Sequence, residues 1–243
     1  MKSSTRWKNL KRGMIDGLPI CFGYFAVSFT IGILSKDTGL TAFQAFLLSI
    51  TNLTSAGQFA GLGLIGAGAG YLEVACTQFV INMRYFLMSC SLSQKIEKKE
   101  NPIHRFFMAY GVTDEIFGIT ACREGNINPW YFYGIVLVAA PGWGFGTLIG
   151  VLSGSILPES IINALGIAIY GMFIAVIIPA AKENRVVLGV ILVTMLASYL
   201  FSVIPVINTV SSGFRIIILI FVIAGLAAWK FPISEKQEKE EAA

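Results

Sequence analysis

Eight apolar runs divide this chain, more hydrocarbon-seeking length than a soluble domain of its size can bury. They cover residues 14–35, 42–68, 71–92, 105–121, 130–152, 161–181, 186–205 and 213–230. A helix needs about 20 apolar residues to cross a hydrocarbon core roughly 30 Å thick. The runs are continuous, whereas the strands of a membrane β-barrel alternate apolar and polar positions over ~10 residues. Composition agrees: 13% of the residues are charged and the mean hydropathy is +0.72, against about 25% charged in soluble domains. The expected fold class is an all-α polytopic integral membrane protein with 6–8 hydrophobic segments. Residues 1–231 would form one transmembrane domain and 232–243 a charged tail.

The cations cluster between the runs. Lys2, Arg6, Lys8, Lys11 and Arg12 precede the first; Lys95, Lys98, Lys99 and Arg105 share one loop; Lys182 and Arg185 share another; Lys230, Lys236 and Lys239 end the chain. The positive-inside rule reads these as cytoplasmic loops rather than a nucleic-acid patch. The first run is too long for a signal-peptide core and lacks a cleavage site, so it is expected to be a retained span. With the N-terminus inside, a single crossing by 42–68 would put the Lys95–Arg105 loop outside. That run is also too long for one span and holds Asn52, Thr54, Ser55, Gly57 and Gln58 at its centre. It is therefore expected to enter and return as two half-helices broken near 52–58. A similar return at 161–181 would keep both termini cytoplasmic. Residues 18–35 and 140–155 share Pro, then Phe-Gly, then Gly-x-Leu-Ser. With that topology the two copies would point in opposite directions, as in transporters built from inverted repeats.

Polar residues inside the runs are expensive and therefore informative. On a helix over 71–92, Glu73, Thr77 and Arg84 fall within about 40° of one another, and Gln78, Asn82, Tyr85 and Ser89 form a second sector, at 100° per residue. An intramembrane arginine costs about 3 kcal/mol or more. Glu73 lies about 16 Å away along the axis, so Asp114 or Glu115 on the next run is the expected partner of Arg84. Glycines recur at four-residue spacing at Gly57/Gly61, Gly66/Gly70 and Gly146/Gly150/Gly154, a pattern that lets helix backbones approach closely. The last of these stripes offers a face for another helix. Cys21, Cys76, Cys90 and Cys122 show no C-x-x-C spacing and read as apolar fillers, and His104 as a surface residue. There is no H-E-x-x-H, G-x-S-x-G or P-loop sequence, so neither an enzyme nor a cofactor is expected.

Several stretches together resemble the AzlC-type branched-chain amino-acid permeases, large subunits of two-component amino-acid exporters. They are Gly17-Leu18-Pro19 with Phe22-Gly23, TSAGQFAGL (54–62), INMRYFLMS (81–89) and VTDEIFG (112–118). Weaker stretches at Pro141 to Gly150 and Phe173 to Pro179 extend the likeness over nearly the whole chain. The resemblance implies export of leucine, isoleucine, valine or analogues such as methionine across the bacterial inner membrane. It also implies a small hydrophobic AzlD-type partner subunit, which would fill the glycine face of 146–154. The residue chemistry suits that role. A zwitterion needs donors for its carboxylate, here the backbone around Gly57 and Gln58 with Arg84. It needs an acceptor for its ammonium or for a coupled proton, here Asp114 or Glu115. An apolar wall would come from Phe59, Phe86 and Phe117, and Asn82 adds a polar contact. With no nucleotide motif, proton coupling is the expected energy source. The rival classes are a channel and a non-transporting assembly subunit.

Overall fold

In the computed structural model, residues 2–96, 100–123, 125–154, 156–158, 160–161, 184–204 and 210–231 are described, with 167, 170, 171, 174, 177–179, 181 and 182 between them. No β-strand occurs among these residues beyond an isolated bridge between Ile96 and Ile127. The chain divides into two compact units, residues 1–66 with 81–170, and residues 67–80 with 171–243.

The first unit is organised around α1 (Lys2–Asp37) and α7 (Pro129–Ser153). Both are apolar over more than one bilayer thickness, and each contains a proline, Pro19 or Pro141, that removes a backbone donor within the helix. They pack along their whole length because glycine lets the two backbones touch. A Cβ at Gly13 or Gly134 would overlap a carbonyl of the facing helix, and so would one at Gly32 or Gly150. The pairs in contact run Gly13 with Tyr131, Gly17 with Ile135, Cys21 with Gly142, Phe25 with Gly146 and Phe29 with Gly150. Numbers rise together, so the helices are parallel. This overturns the inverted reading of 18–35 and 140–155: the two similar segments lie side by side and point the same way. It also removes the proposed partner face, since α1 already covers Gly146 and Gly150. The first span is longer than expected as well. The basic segment before residue 14 continues the helix, with Asp16 accepting from Tyr131 at 2.8 Å and Arg6 stacked over Trp130.

Two broken helical hairpins complete this unit. The run 42–68 forms α2 (Ala42–Asn52) and α3 (Ser55–Gly66). Thr41 caps α2 through a reciprocal box with Gln44. The break falls at Leu53, whose φ of 37° is left-handed and ends the helix. Gly66 then comes against the methyl of Thr38, so α3 ends where α2 began. Each half is about 16–18 Å long, half a bilayer.

The run 105–121 reads in the sequence as one continuous apolar run. It forms instead α5 (Ile103–Tyr110) and α6 (Asp114–Ala121), interrupted at Gly111–Thr113. Thr113 explains the restart: in extended conformation, its hydroxyl accepts from Ile116 N–H and caps α6. This hairpin also returns to its origin. Lys95, the last residue of α4 (Tyr71–Lys95), donates to the carbonyl of Ala121, and Ile127 N–H donates to the carbonyl of Lys95. The two hairpins enter from opposite ends and their tips meet at mid-depth, where Tyr110 of α5 donates to the carbonyl of Ile50 of α2.

In the second unit, α8 (Arg185–Val203) packs beside a helix that starts as α9 (Ser212–Leu219), passes through a π-helical turn (Ile220–Ala224) and ends as α10 (Gly225–Lys230). Both stretches are apolar and long enough to cross a membrane. The first turns of α4 belong to this unit, and there Glu73 accepts from Gly213 N–H at 3.1 Å and from the Ser211 hydroxyl. A carboxylate at that N-terminus offsets the helix dipole. Glu73 therefore serves α9. The return expected at 161–181 falls largely outside the described residues, as do Lys98, Lys99 and the tail 232–243.

Candidate functional site

The tips of the two hairpins frame the most polar point of the first unit. Arg84, on α4, reaches Asp114 at the start of α6, with Nη2 to Oδ2 at 2.9 Å. Of the two acids the sequence offered, Asp114 is the one that pairs. The same Nη2 donates to the Tyr85 hydroxyl at 3.3 Å, and that hydroxyl donates to Thr54 Oγ1 at 3.3 Å. Thr54 also donates to Asn82 Oδ1 at 2.9 Å, and it caps α3 by accepting from Gly57 N–H at 3.2 Å. The side chains of Arg84 and Asp114 keep 39% and 33% of their surface accessible, so the pair is open to a ligand. Arg84 Nε is buried and makes no hydrogen bond among the described residues, leaving one guanidinium donor unused.

Glu115 takes a different partner. Tyr24 Oη lies 2.7 Å from Glu115 Oε2 and also contacts Thr113 Oγ1. Its single proton can serve only one of them at a time. Tyr24 thus ties α1 to the tip of the second hairpin, and its ring meets Trp143 of α7 edge-on at 5.3 Å. Both carboxylates sit in the first turn of α6, the helix end that favours negative charge. The facing half-helix α3 has no acid in its first turn. One tip therefore presents carboxylates, and the other, capped by Thr54, is joined to the guanidinium through the Tyr85 hydroxyl.

The other residues expected at the site divide. Gly57 and Asn82 lie at the junction. Gln58 does not: it is 1% exposed, its amide donates to Ser49 Oγ, and its carbonyl accepts from Trp143 Nε1 at 2.9 Å. With Ser49 held by Thr147 at 2.7 Å, this is a sealed brace between α2, α3 and α7. Gln58→Leu should therefore lower the unfolding midpoint in detergent, because it orphans the buried Trp143 N–H, at about 1–3 kcal/mol for such a group, and removes one partner of Ser49. Substrate affinity in the protein that remains folded should change less than twofold. A large affinity loss at unchanged stability would return Gln58 to the binding site. Phe59 packs on Tyr170 at 6.0 Å, Phe86 is 70% exposed, and Phe117 is half-buried on α6.

Sequence reasoning missed Tyr24, Thr113 and Trp143. Thr113 had a signal, a threonine directly before two acids and an apolar turn, the pattern of a helix N-cap. Tyr24 and Trp143 had none, being aromatic residues among many in apolar spans. His104 is also more engaged than expected: it is half-buried, with Nδ1 2.8 Å from the Tyr133 hydroxyl.

Paired half-helices around an ion pair fit the stretches that suggested a permease, and residues 19–157 match the family described as AzlC protein. The chain belongs to the AzlC family. An uncharacterized membrane protein of Archaeoglobus fulgidus is 28% identical over 188 residues, covering 76% of this chain and 82% of that protein. The inner membrane protein YgaZ of Escherichia coli is 28% identical over 180 residues, 71% of this chain and 74% of its own. An uncharacterized membrane protein of Helicobacter pylori is 27% identical over 152 residues, 61% and 65%. No solved structure matches this chain. The AzlC match includes both hairpins, α4 and α7, and so every residue of the junction.

Proposed function

We propose that this AzlC protein is a secondary transporter that exports branched-chain amino acids, or analogues such as methionine, across the bacterial inner membrane. The observation that carries the proposal is the Arg84–Asp114 pair, set between two half-helix N-termini at mid-depth and open to a ligand. Charge at that depth is costly enough to need a use, and broken helices at mid-depth are where secondary transporters bind. A zwitterion complements the arrangement. Its carboxylate suits the accessible part of the Arg84 guanidinium and the first turn of α3, and its ammonium suits Asp114 or Glu115. A carboxylate released from its partner during the cycle would carry the coupled proton. The protein would act without a cofactor or covalent chemistry, together with a small hydrophobic AzlD-type subunit. With α1 covering the glycine stripe, that subunit would have to dock elsewhere.

Orientation follows from charge. The end where α1 and α7 begin and α4 and α6 finish carries Arg6, Arg12, Lys95, Arg105 and Arg123. It also carries a belt of Trp130, Tyr131 and Tyr133. Basic residues favour the cytoplasmic side, and the aromatic belt marks a membrane interface. The name of the Escherichia coli relative, an inner membrane protein, agrees with that location.

Counterflow in proteoliposomes tests the proposal. Vesicles that hold the chain with the partner subunit, loaded with unlabelled leucine, should take up labelled leucine saturably, vesicles that hold the chain alone should do so poorly, and an imposed pH gradient should drive net movement. Ion conductance without saturable exchange would make the protein a channel. The absence of both would make it an assembly subunit.

A further inference from the structure

The second unit holds a groove that the transport proposal does not use. It lies between α8 and the π-helical turn with α10, has a volume of about 480 Å³, and is lined along its length by Gly189, Val190, Val193, Ile223 and Leu226. Arg185 and Lys230 line it at one end. They are the first residue of α8 and the last of α10, so the antiparallel helices bring two cations to the same mouth. Neither forms a salt bridge among the described residues. Arg185 is also placed against its helix dipole, which favours an anion at an N-terminus. Trp229 beside them is 83% exposed, as expected for a ring at the membrane interface.

We propose that this groove binds one anionic glycerophospholipid, with its phosphate between Arg185 and Lys230 and an acyl chain along the apolar floor. The charge complementarity commits the site to an anionic headgroup, because two cations beside a helix N-terminus repel one another and are offset by a net negative charge, which a zwitterionic headgroup does not carry. The shape commits it to a lipid rather than free phosphate. The lining is apolar beyond the mouth, and Gly189 faces open space where a side chain would block the chain's path. The π-helical turn at Ile220–Ala224 is an irregularity that recurs at functional sites. Basic sites between transmembrane helices are a general setting for anionic lipid headgroups.

The experiment uses the full chain in detergent, titrated with phosphatidylglycerol, phosphatidylcholine or inorganic phosphate, with bound lipid read by native mass spectrometry and stability by thermal unfolding. Phosphatidylglycerol should bind at least tenfold tighter than phosphatidylcholine and raise the midpoint, and phosphate alone should do neither. Arg185→Gln with Lys230→Gln should abolish the tenfold preference. Gly189→Phe, which keeps both charges and fills the groove, should abolish binding of either lipid at this site. Equal binding of the two lipids by the parent protein would overturn the proposal, and so would a preference retained in the double variant. Full lipid binding in Gly189→Phe, or an equal effect from phosphate, would show that the groove plays no part. None of these readouts depends on amino-acid transport.

Discussion

Arg84→Ala is expected to abolish amino-acid exchange, by at least about a hundredfold, and to lower the yield of folded protein. Losing the guanidinium leaves Asp114 without its partner at 2.9 Å inside the bilayer. Breaking a fully buried pair costs about 3–5 kcal/mol. Because roughly a third of each side chain is accessible here, the cost should be nearer 2 kcal/mol. The geometry makes the rescue selective. Arg84→Ala with Asp114→Ala removes both charges and should recover folding. Arg84→Ala with Glu115→Ala should not, since Glu115 is held by Tyr24. Neither double variant should recover exchange. If the Asp114 double variant transports normally, the pair is only a lock between α4 and α6. Rescue by Glu115→Ala instead would contradict the pairing itself. Folded yield by size-exclusion chromatography, followed by counterflow, separates these outcomes.

Gly150→Leu should be more damaging to the fold than any change at the site. A Cβ at Gly150 would run into the Phe29 carbonyl, and one at Gly146 into the Phe25 carbonyl and the Ser28 hydroxyl. These are mostly backbone atoms, which cannot rotate away as a side chain can, so α1 and α7 would have to separate. Overpacking a core costs about 1–3 kcal/mol where side chains can adjust. Here several kcal/mol are expected, and little monodisperse protein should be recovered from membranes. The matched control is Gly63→Ala on α3, where nothing lies within 4 Å of the added Cβ. It should be neutral or slightly stabilising, because alanine is the better helix former by about 1 kcal/mol. Similar losses at both positions would mean that helix propensity, not the α1–α7 seam, sets the stability.

The resemblance to AzlC proteins rested on short stretches whose order is a property of the sequence, and the match over 19–157 covers most of them. Which residues act at the junction was only half legible. Arg84 and the two acids stood out because charge in hydrocarbon is costly wherever the helix turns. The selection of Asp114 over Glu115 depends on where Tyr24 of α1 points, some 90 residues away along the chain, and no local pattern encodes that. Gln58 stood in the expected site because it lies in the polar cluster of an apolar run, where the backbone around Gly57 and Gln58 was to hold a carboxylate; its side chain turns out to be buried. Two neighbours from α2 and α7 satisfy it instead.

What the sequence determined by itself is the solvent and the elements. Long apolar runs with few charges can be satisfied only by helices in lipid, because every backbone group must bond within its own segment. The central polar cluster of 42–68 likewise forced a break, which came at Leu53. What the tertiary structure decided is direction and neighbourhood. The Pro and Gly pattern shared by 18–35 and 140–155 marks two helices that allow close approach, but such a pattern is the same for parallel and antiparallel partners. Only the contacts made α1 and α7 parallel, and only they filled the glycine stripe. The same holds for 105–121, where hydropathy shows one apolar run and the Thr113 cap, together with the Arg84 ion pair at Asp114, makes two half-helices. Hydropathy records how much of a segment avoids water, a sum over residues taken singly. Direction, pairing and interruption depend on which particular atoms meet, and those meetings exist only once the helices have packed.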